Sequence, residues 1–412
     1  MRGDVHASRD VRREGAEVTT RVQRRIPFHQ VDITEAEIEE VVDSLRSGWL
    51  TTGPKTVRFA EEFRSSIGCR HALPVSSCTA ALHLGLLALG VHPGDEVITT
   101  TLTFVSTVTT ILHAGARPVL VDVDAVTLNL DPRRAAEAVT PRTKAIVPVH
   151  FGGLPCDMAA IQAIAHEHRL RILEDAAHAF PAASLGRRIG TIGDATAFSF
   201  YATKTLATGE GGMLTTDDDR VMDLAQTLSL HGMSRDAWKR YAVPGSWWYD
   251  VTAPGYKYNM SDLVAAIGLH QLRRAQELHR RRAWLAQAYR ERLQALPFLT
   301  LPAPAPPGDE HAWHLFPVRL RPERLSLTRD EFVAQLAARG VSASVHFIPV
   351  HLHSFYRRTL GYRQGDFPCA ERAYATILSL PLFTRMTEDD VEYVVQQIRE
   401  IAEGHEAERG AP

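Results

Sequence analysis

Residues 72–123 read ALPVSSCTAALHLGLLALGVHPGDEVITTTLTFVSTVTTILHAGARPVLVDV. In this stretch, short apolar runs alternate with segments that have the periodicity of amphipathic helices. The pattern predicts strands over residues 72–77, 96–100 and 119–123, and helices over 79–89 and 104–114. Strands that alternate with helices in this way form a mainly parallel sheet that is covered on both faces. The stretch therefore predicts an α/β fold.

The same alternation extends along the chain on both sides. Upstream, Thr34 and Glu37 have the spacing of a capping box, which predicts a helix that ends near Gly48. Downstream, the pattern predicts strands over 145–151, 171–174, 196–200 and 212–216, and a helix over 158–167. We interpret residues 26–260 as one large domain that contains this sheet.

Beyond residue 260 the sequence changes in character. A helical pattern covers residues 261–296 and is followed by five prolines between Pro297 and Pro307. After this break, the pattern predicts strands over 311–320 and 341–347, and helices over 328–339 and 386–401. We therefore predict a long connecting helix over 261–296 and a small α+β domain over 297–412.

The first 25 residues are predicted to form a disordered N-terminal arm. They carry seven arginines against four acidic residues, and no apolar run follows them, which argues against a secretory signal. The longest apolar stretch of the chain, residues 80–91, is too short to span a bilayer. We therefore expect no membrane contact.

The composition excludes several classes of function. The 412 residues include 46 Lys and Arg against 48 Asp and Glu, so the formal charge is −2. A near-neutral chain has no strong field for capturing nucleic acid. None of the four cysteines forms a C-x-x-C pair, which argues against a zinc site or a disulfide scaffold and indicates a reducing cytoplasm. We therefore expect neither nucleic acid nor metal as a partner.

Candidate binding residues lie where the predicted strands end, because ligands of such sheets collect at the carboxyl ends of the strands. The residues Ser76-Ser77-Cys78-Thr79 end a strand and open a helix, so their backbone amides can bind an oxyanion. The alternative is ordinary helix capping by Thr79.

The next candidate is an acidic pair at the end of the strand over 171–174. A carboxylate at this position, on Glu174 or Asp175, can keep a heterocyclic nitrogen protonated. The alternative is a cap on the following turn. His178 follows three residues later and either projects to the same side or has a structural role.

Lys204 stands out among only five lysines. It follows the apolar strand over 196–200 and precedes a glycine-rich turn, whereas most lysines are solvated surface residues. A lysine with a lowered pKa can form a Schiff base, and Ser199 can add a hydroxyl to a phosphate site. Together with the anion-binding helix start, the acid and the aromatic ring of Phe104, this set matches the needs of pyridoxal 5′-phosphate (PLP).

The chain resembles the DegT/DnrJ/EryC1/StrS family of sugar aminotransferases from about Ile26 to Ile401. The segments that carry the resemblance are SGWLTTGPKT, SSCTAALHLGLLALGVHPGDEVIT, TFVST, GARPVLVDVD, TKAIVPVHFGG, EDAAHAF, FSFYATK, GEGGM, GYKYNMSD, HFIPVHLHSFY and LSLPLF. The resemblance implies the PLP-dependent transferase fold of type I, which is aspartate aminotransferase-like.

The resemblance also implies roles for individual residues. Lys204 is similar to the Schiff-base lysine, Asp175 to the partner of the pyridinium nitrogen, and His178 to the residue beside the ring hydroxyl. Phe104 matches the position that stacks on the cofactor ring. The positions that match the phosphate-binding residues are Cys78, Thr79 and Ser199, together with Asn259, which would reach the neighbouring subunit of a homodimer. Two departures are Cys78, where the family commonly has Gly, and Thr205, where it often has Asn.

The expected function is amino transfer from L-glutamate to a keto-sugar, with pyridoxamine 5′-phosphate (PMP) as the intermediate form of the cofactor. The GYKYNMSD and HFIPVHLH segments favour a nucleotide-linked 4-keto-6-deoxy sugar as substrate. A cyclitol or C3-keto-sugar aminotransferase and a non-catalytic PLP-binding regulatory protein remain alternatives. The related sugar dehydratases carry His at the position of Lys204. Possible substrate contacts, each with a packing or surface role as the alternative, are His346, His351 and Arg235.

Overall fold

The computed structural model of the protein describes residues 24–233 and 248–405. Most of the predicted N-terminal arm, residues 1–23, lies outside the described residues, and so does Arg235. Within the described ranges, no helix combines the length and the apolar character needed to cross a membrane.

A seven-stranded sheet forms the centre of the molecule and confirms the predicted α/β class. Its strands are β1 (His71–Val75), β2 (Glu96–Thr100), β3 (Arg117–Val121), β4 (Thr143–Val147), β5 (Arg171–Asp175), β8 (Ala195–Ser199) and β9 (Gly212–Thr216). The spatial order is β1-β9-β8-β5-β4-β2-β3. Only β9 runs against its neighbours, so the other six strands end at the same edge.

Helices cover this sheet and the smaller region that follows it in the chain. They are α1 (Glu35–Ser47), α2 (Pro54–Ile67), α3 (Cys78–Ala88), α4 (Val105–His113), α5 (Pro132–Glu137), α6 (Met158–His168), α7 (Asp219–Ser229), α8 (Asp262–Arg273), α9 (Ala275–Leu293), α10 (Arg329–Ala338), α11 (Ser354–Leu360), α12 (Pro368–Thr376) and α13 (Glu388–Glu403). A two-stranded ribbon, β6 (Ala183–Ser184) and β7 (Arg187–Arg188), precedes β8.

The carboxyl-terminal region has its own three-stranded sheet and its own apolar core. The sheet joins β10 (Leu299–Thr300), β11 (Phe316–Leu320) and β12 (Ile377–Leu380) in antiparallel order. Its core packs α9, α10 and α13 around Phe316 and Val318, which are fully buried. Ile26 joins the same core and exchanges backbone hydrogen bonds with residues 340 and 342.

Three predicted elements differ from the structure. The helical pattern over 261–296 is two helices, α8 and α9, that meet at Arg274. The strand predicted over 311–320 forms only from Phe316, because Trp313 adopts a positive φ of 50° that turns the chain. Residues 341–347 make single bridges to residues 26 and 379 rather than a ladder, so they are not a strand.

Gly212 brings strand β9 against the start of helix α3. A Cβ atom at this glycine would lie 2.5 Å from the carbonyl carbon of Ser77 and 2.6 Å from the backbone nitrogen of Cys78. Side chains do not tolerate such distances from backbone atoms, so this approach requires glycine. The glycine thereby fixes where the amino end of α3 meets the edge of the sheet.

Candidate active site

A cavity of about 570 Å³ opens at the edge where the parallel strands end. Seven of the eight residues that the sequence predicts for the cofactor site line this cavity: Cys78, Thr79, Phe104, Asp175, His178, Ser199 and Lys204. They come from four separate strand ends and the turns that follow them. The sheet topology therefore brings these residues together, as the strand-end argument predicted.

The amino end of helix α3 offers unused backbone donors to the cavity. The capping residue is Ser77, whose side chain accepts a 3.1 Å hydrogen bond from the Ala80 amide, so capping by Thr79 was the wrong alternative. The amides of Cys78 and Thr79 have no acceptor among the described residues. Such amides, together with the helix dipole, bind phosphate oxygens.

Cys78 contributes to the cavity through its backbone rather than as a thiolate. Burial raises the pKa of its thiol well above the usual value, and the Asp175 carboxylate adds to this effect. The side chain therefore stays protonated and apolar, and only a thiolate would be a strong nucleophile. A cysteine at this position is compatible with the same backbone contact that a glycine would make.

Asp175 ends strand β5 with its carboxylate held by two donors. Oδ2 accepts a 2.7 Å hydrogen bond from the Thr107 hydroxyl, and Oδ1 accepts a 3.1 Å bond from the Ala177 amide. The bond from Ala177 is the capping contact on the following turn that the sequence indicated as the alternative role for Asp175. Asp175 makes this contact and also lines the cavity. Burial raises the pKa of Asp175 from its usual value of 3.8, although both donors oppose that shift.

His178 is neutral and carries its proton on a defined nitrogen. Its Nδ1 accepts a 3.2 Å hydrogen bond from the Gly152 amide, so the proton resides on Nε2. Burial lowers the pKa of the ring well below 6.5, and the charge of Lys204 lowers it further. Its Nε2 is consequently a hydrogen-bond donor at neutral pH.

Lys204 lies in the turn after strand β8, where its amide donates to the Tyr201 carbonyl over 2.8 Å. Its Nζ is 3.3 Å from Nε2 of His314. The pKa of Lys204 is lowered to about 8, mainly by burial and also by the Arg282 guanidinium, against the opposing effects of Cys78 and Asp175. At pH 7 about a tenth of this amine is therefore unprotonated, far more than for an ordinary lysine, as a nucleophilic lysine requires.

Ser199 and Phe104 complete the predicted set on this chain. Ser199 is buried at the end of β8, and its Oγ accepts a hydrogen bond from the Tyr201 amide, which leaves the hydroxyl proton free to donate. Phe104 precedes α4 and is 58% exposed, with its ring 6.1 Å from that of Phe347. An aromatic face that is open to a cavity can stack on a planar ligand.

Asn259 does not line the cavity of its own chain. Its Nδ2 donates a 2.6 Å hydrogen bond to Oγ1 of Thr52, and its Oδ1 accepts from Lys257. The carboxylate of Asp262 binds the backbone of the same loop at Gly53 over 2.8 Å. The SGWLTTGPKT and GYKYNMSD segments are thus joined to each other, and Asn259 and Thr52 line a different pocket.

The structure places two of the possible substrate contacts, His346 and His351, in different surroundings. His346 lines the cavity, with its Nδ1 2.9 Å from the Ser379 hydroxyl. His351 does not line it, because its ring is fully buried between the Thr101 hydroxyl at 2.7 Å and Glu371 at 3.0 Å. The substrate-contact interpretation of His351 is therefore wrong, and the packing alternative is correct.

Sequence reasoning missed several cavity residues from outside the large sheet, among them Phe28, His314 and Phe347. They come from the segment before α1 and from the carboxyl-terminal region. Two signals were available. Phe347 stands next to His346 in the HFIPVHLH segment, and His314 lies in a predicted strand.

The residues present fit PLP. The free amides of α3 and the Ser199 hydroxyl suit a phosphate, and the buried carboxylate of Asp175 suits a pyridinium nitrogen. The amine of Lys204 suits an aldehyde. The close approach at Gly212 keeps the phosphate-binding amides beside the sheet.

Comparisons with known proteins agree with this fit. The model of the DegT/DnrJ/EryC1/StrS aminotransferase family matches residues 31–399. The spore coat polysaccharide biosynthesis protein SpsC of Bacillus subtilis (strain 168) is 52% identical over 387 residues, which cover 93% of this chain and 99% of SpsC.

Solved structures show the same similarity. The candidate sugar aminotransferase Spr1654 of Streptococcus pneumoniae, solved in PLP and PMP forms, is 34% identical with a TM-score of 0.86. Its PMP form aligns over 92% of this chain and 98% of its own. Helicobacter pylori PseC, an aminotransferase involved in the biosynthesis of pseudoaminic acid, is 26% identical with a TM-score of 0.86, over 92% of this chain and 100% of its own.

Proposed function

Because the chain belongs to the DegT/DnrJ/EryC1/StrS aminotransferase family and is a PLP-dependent aminotransferase, we propose that it transfers the amino group of L-glutamate to a nucleotide-linked 4-keto-6-deoxy sugar. The observation that carries the proposal is the position of Lys204. Its amine, with a pKa of about 8, faces the same cavity as the Asp175 carboxylate and the free amides of α3.

The proposed roles follow from the geometry of the side chains. When bound, PLP supplies an electrophilic aldehyde and a ring that withdraws electrons from the substrate. The amides of Cys78 and Thr79 hold the phosphate, and the Asp175 carboxylate accepts a hydrogen bond from the ring nitrogen. Phe104, whose ring is open to the cavity, would stack on one face of the cofactor ring.

Lys204 moves the proton in this proposal. As a neutral amine, its Nζ would take the proton from the substrate carbon that carries nitrogen and pass it to the former aldehyde carbon of the cofactor, and in the second half-reaction it would move a proton in the opposite direction. His178 donates from Nε2 to the ring hydroxyl of the cofactor, because its Nδ1 is occupied by Gly152. Each role uses an atom that already faces the cavity.

The sugar substrate is supported by the cavity and by the relatives. Beyond the residues assigned to the cofactor, the wall includes imidazole and hydroxyl groups from His346, Ser344 and Thr103, which suit the hydroxyls of a sugar. SpsC is named for polysaccharide biosynthesis and PseC for pseudoaminic acid biosynthesis. The C4 position and the nucleotide rest on the sequence resemblance of GYKYNMSD and HFIPVHLH.

The proposal includes a homodimer in which Asn259 reaches the phosphate site of the partner subunit. This is supported by the surface that Asn259 shares with Thr52, outside the cavity of its own chain. Three large apolar side chains nearby in the sequence are also exposed: Trp49, Leu50 and Val57. Exposed apolar groups of this kind are typical of interfaces.

Transamination is tested with purified protein, PLP, L-glutamate and a panel of nucleotide 4-keto and 3-keto sugars. We expect 2-oxoglutarate and an aminated 4-keto-6-deoxy sugar by mass spectrometry. In Lys204→Arg, turnover should fall by about a hundred- to ten-thousandfold, the usual contribution of general acid–base catalysis. Lys144→Arg is the matched control, because Lys144 lies near the amino end of strand β4, at the sheet edge opposite the cavity. Wild-type turnover by Lys204→Arg, or amination at C3 only, would contradict the corresponding part of the proposal.

The subunit arrangement has its own test. Lys204→Arg and Asn259→Ala are each expected to be inactive, but a mixture of the two should regain part of the activity. A mixed dimer contains one site with both residues intact only if Asn259 acts across the interface. A mixture that stays as inactive as its components would contradict the trans contact.

A further inference from the structure

His314 lies beside the Lys204 amine in the cavity wall, and no role proposed so far uses it. Its Nε2 lies 3.3 Å from Nζ of Lys204, within hydrogen-bond distance. Its ring is packed against that of His178, with the centroids 4.4 Å apart. It lies 110 residues from Lys204 in the chain, so the contact depends on the tertiary fold.

The other ring nitrogen shows which of the two groups donates. Nδ1 of His314 is buried and has no hydrogen-bond partner among the described residues. Buried N–H groups without an acceptor are rarer in proteins than acceptors that are left unused. The ring is neutral, because burial lowers its pKa well below 6.5. Its single proton therefore resides on Nε2, and the lone pair of a neutral Lys204 amine accepts the hydrogen bond.

The backbone of His314 is held in place from the side away from the cavity. Arg282, on α9, is almost fully buried, and its guanidinium donates to the carbonyls of Trp313 over 2.8 Å and of His314 over 2.6 Å. The Trp313 amide donates to Nδ1 of His311, and these two rings stack with centroids 3.9 Å apart. The imidazole therefore has little freedom to leave Lys204.

We propose that His314 is a positioning residue that donates from Nε2 to Nζ of Lys204 and holds the amine neutral and directed at the cavity. The inference rests on the role proposed above for Lys204. It adds a residue from the carboxyl-terminal region to the cavity residues with a proposed role in catalysis or cofactor binding, which otherwise come from the ends of the large sheet. Its consequence is that removal of the imidazole shifts the protonation equilibrium of Lys204 toward the ammonium form.

Other groups also act on this equilibrium. The titratable or charged residues around Nζ, besides His314, are Cys78, Asp175, Arg282, His29, His178 and His346. The carboxylate of Asp175 favours the ammonium form, whereas the guanidinium of Arg282 opposes it. These groups remain in place in a His314 variant, so the change measured there belongs to the imidazole.

The test measures the protonation of Lys204 without turnover. Full-length apoenzyme is labelled at a series of pH values with trace acetic anhydride, and acetylation of the Lys204 peptide is quantified by mass spectrometry. In His314→Leu, the ratio of ammonium to amine at a given pH should rise about three- to tenfold, the effect of losing one ordinary hydrogen bond to the neutral form. In the holoenzyme, the acidic limb of the pH–rate profile should move to higher pH in the same variant.

Two further variants at this position separate positioning from structural support. His314→Gln carries an amide nitrogen that reaches about as far as Nε2, so it should restore the wild-type ratio. His314→Asn is polar but shorter, so it should behave like His314→Leu and serves in its place if the leucine variant does not fold.

His92→Leu is the matched control, because His92 is exposed and does not line the cavity with Lys204. It should leave the protonation of Lys204 unchanged. An equal shift in His92→Leu, an unchanged ratio in His314→Leu, or a shift toward the neutral amine would overturn the proposal. Labelling requires no sugar substrate. A negative labelling result would therefore contradict the role of His314 alone, and a failed amination assay would contradict the proposed function alone.

Discussion

The Thr107 hydroxyl donates a 2.7 Å hydrogen bond to Oδ2 of Asp175, so helix α4 supports the carboxylate that strand β5 presents to the cavity. Thr107 is itself buried, and a second hydroxyl, that of Thr103, lies 2.8 Å from it. The Asp175 carboxylate is thus held by a hydroxyl chain from a neighbouring element. This chain favours the ionised form that a pyridinium nitrogen needs.

The first prediction concerns this hydrogen bond. Thr107→Val retains the shape of the side chain but removes the donor, so the ionised form of Asp175 loses a charge-assisted bond. We expect the affinity for PLP to fall about tenfold or more, measured by titration of the apoenzyme. Thr110→Val is the control, since its hydroxyl bonds only to the carbonyl of Thr107 within the same helix. Equal affinities for both variants would show that the bond has no part in cofactor binding.

The second prediction concerns pH. The pKa of Lys204 is lowered to about 8 by burial, and only the neutral amine can react with an aldehyde. The rate at which apoenzyme captures PLP should therefore rise about tenfold per pH unit below 8 and level off above it. Stopped-flow absorbance between pH 6 and 9.5 measures this rate, with Lys204→Arg as the control that captures none. A rate that still rises steeply between pH 8.5 and 9.5 would indicate an ordinary lysine.

The sequence predicts the large sheet well for a physical reason. Strands buried on both faces are rich in apolar and β-branched residues and stand between turns, and the strands predicted over 96–100 and 212–216 coincide with β2 and β9. Helix α2 was missed, although Pro54 at its first position and Gly68 after its end are standard boundary signals. The end of α8 at Arg273 carries neither Pro nor Gly, so tertiary packing rather than a local signal divides the two helices there.

Part of the candidate site is predictable from the sequence, because its residues follow strands of the large sheet. Asp175 and Lys204 follow strands that end at one edge, so the topology of a parallel sheet brings them together. His314 and Phe347 approach the same cavity from another sheet and from loops. Their approach depends on how the carboxyl-terminal region packs on the large sheet, which no periodicity in the sequence encodes. The roles of the predicted residues remain predictions that the variants above can test.

The third prediction concerns the close approach of β9 to α3. In Gly212→Ala, the new Cβ would lie about 2.5 Å from backbone atoms of Ser77 and Cys78, so the strand and the helix start must separate. We expect lower thermal stability and a loss of PLP affinity of at least about tenfold, since the amides of α3 move with the helix. Gly404→Ala is the control, because it has open space and a negative φ. Wild-type PLP affinity in Gly212→Ala would show that the amides are not part of the phosphate site.

The fourth prediction concerns a carboxylate that lies beneath the site. Glu174, next to Asp175 on β5, is fully buried, and its Oε2 accepts a 3.1 Å hydrogen bond from Nε2 of His150. Its Oε1 accepts from the Gly193 amide at 2.9 Å and from the Thr196 hydroxyl at 2.8 Å. Burial alone would raise the pKa of Glu174, but these donors outweigh burial and hold the pKa below 4.5.

A carboxylate whose pKa is lower in the folded chain stabilises the fold above its unfolded pKa, and this stabilisation is lost as the pH falls through the folded value. Glu174→Gln places amide hydrogens against donors, so the free energy of unfolding at pH 7 should fall by about 2–4 kcal/mol. Urea unfolding at pH 7, 5 and 3 should show the same difference from wild type at pH 7 and 5 and a smaller difference at pH 3, below the unfolded pKa. Glu167→Gln, on the exposed face of α6, should match the wild type throughout. A deficit in Glu174→Gln that is as large at pH 3 as at pH 7 would show that the charge of Glu174 does not stabilise the strand that carries Asp175.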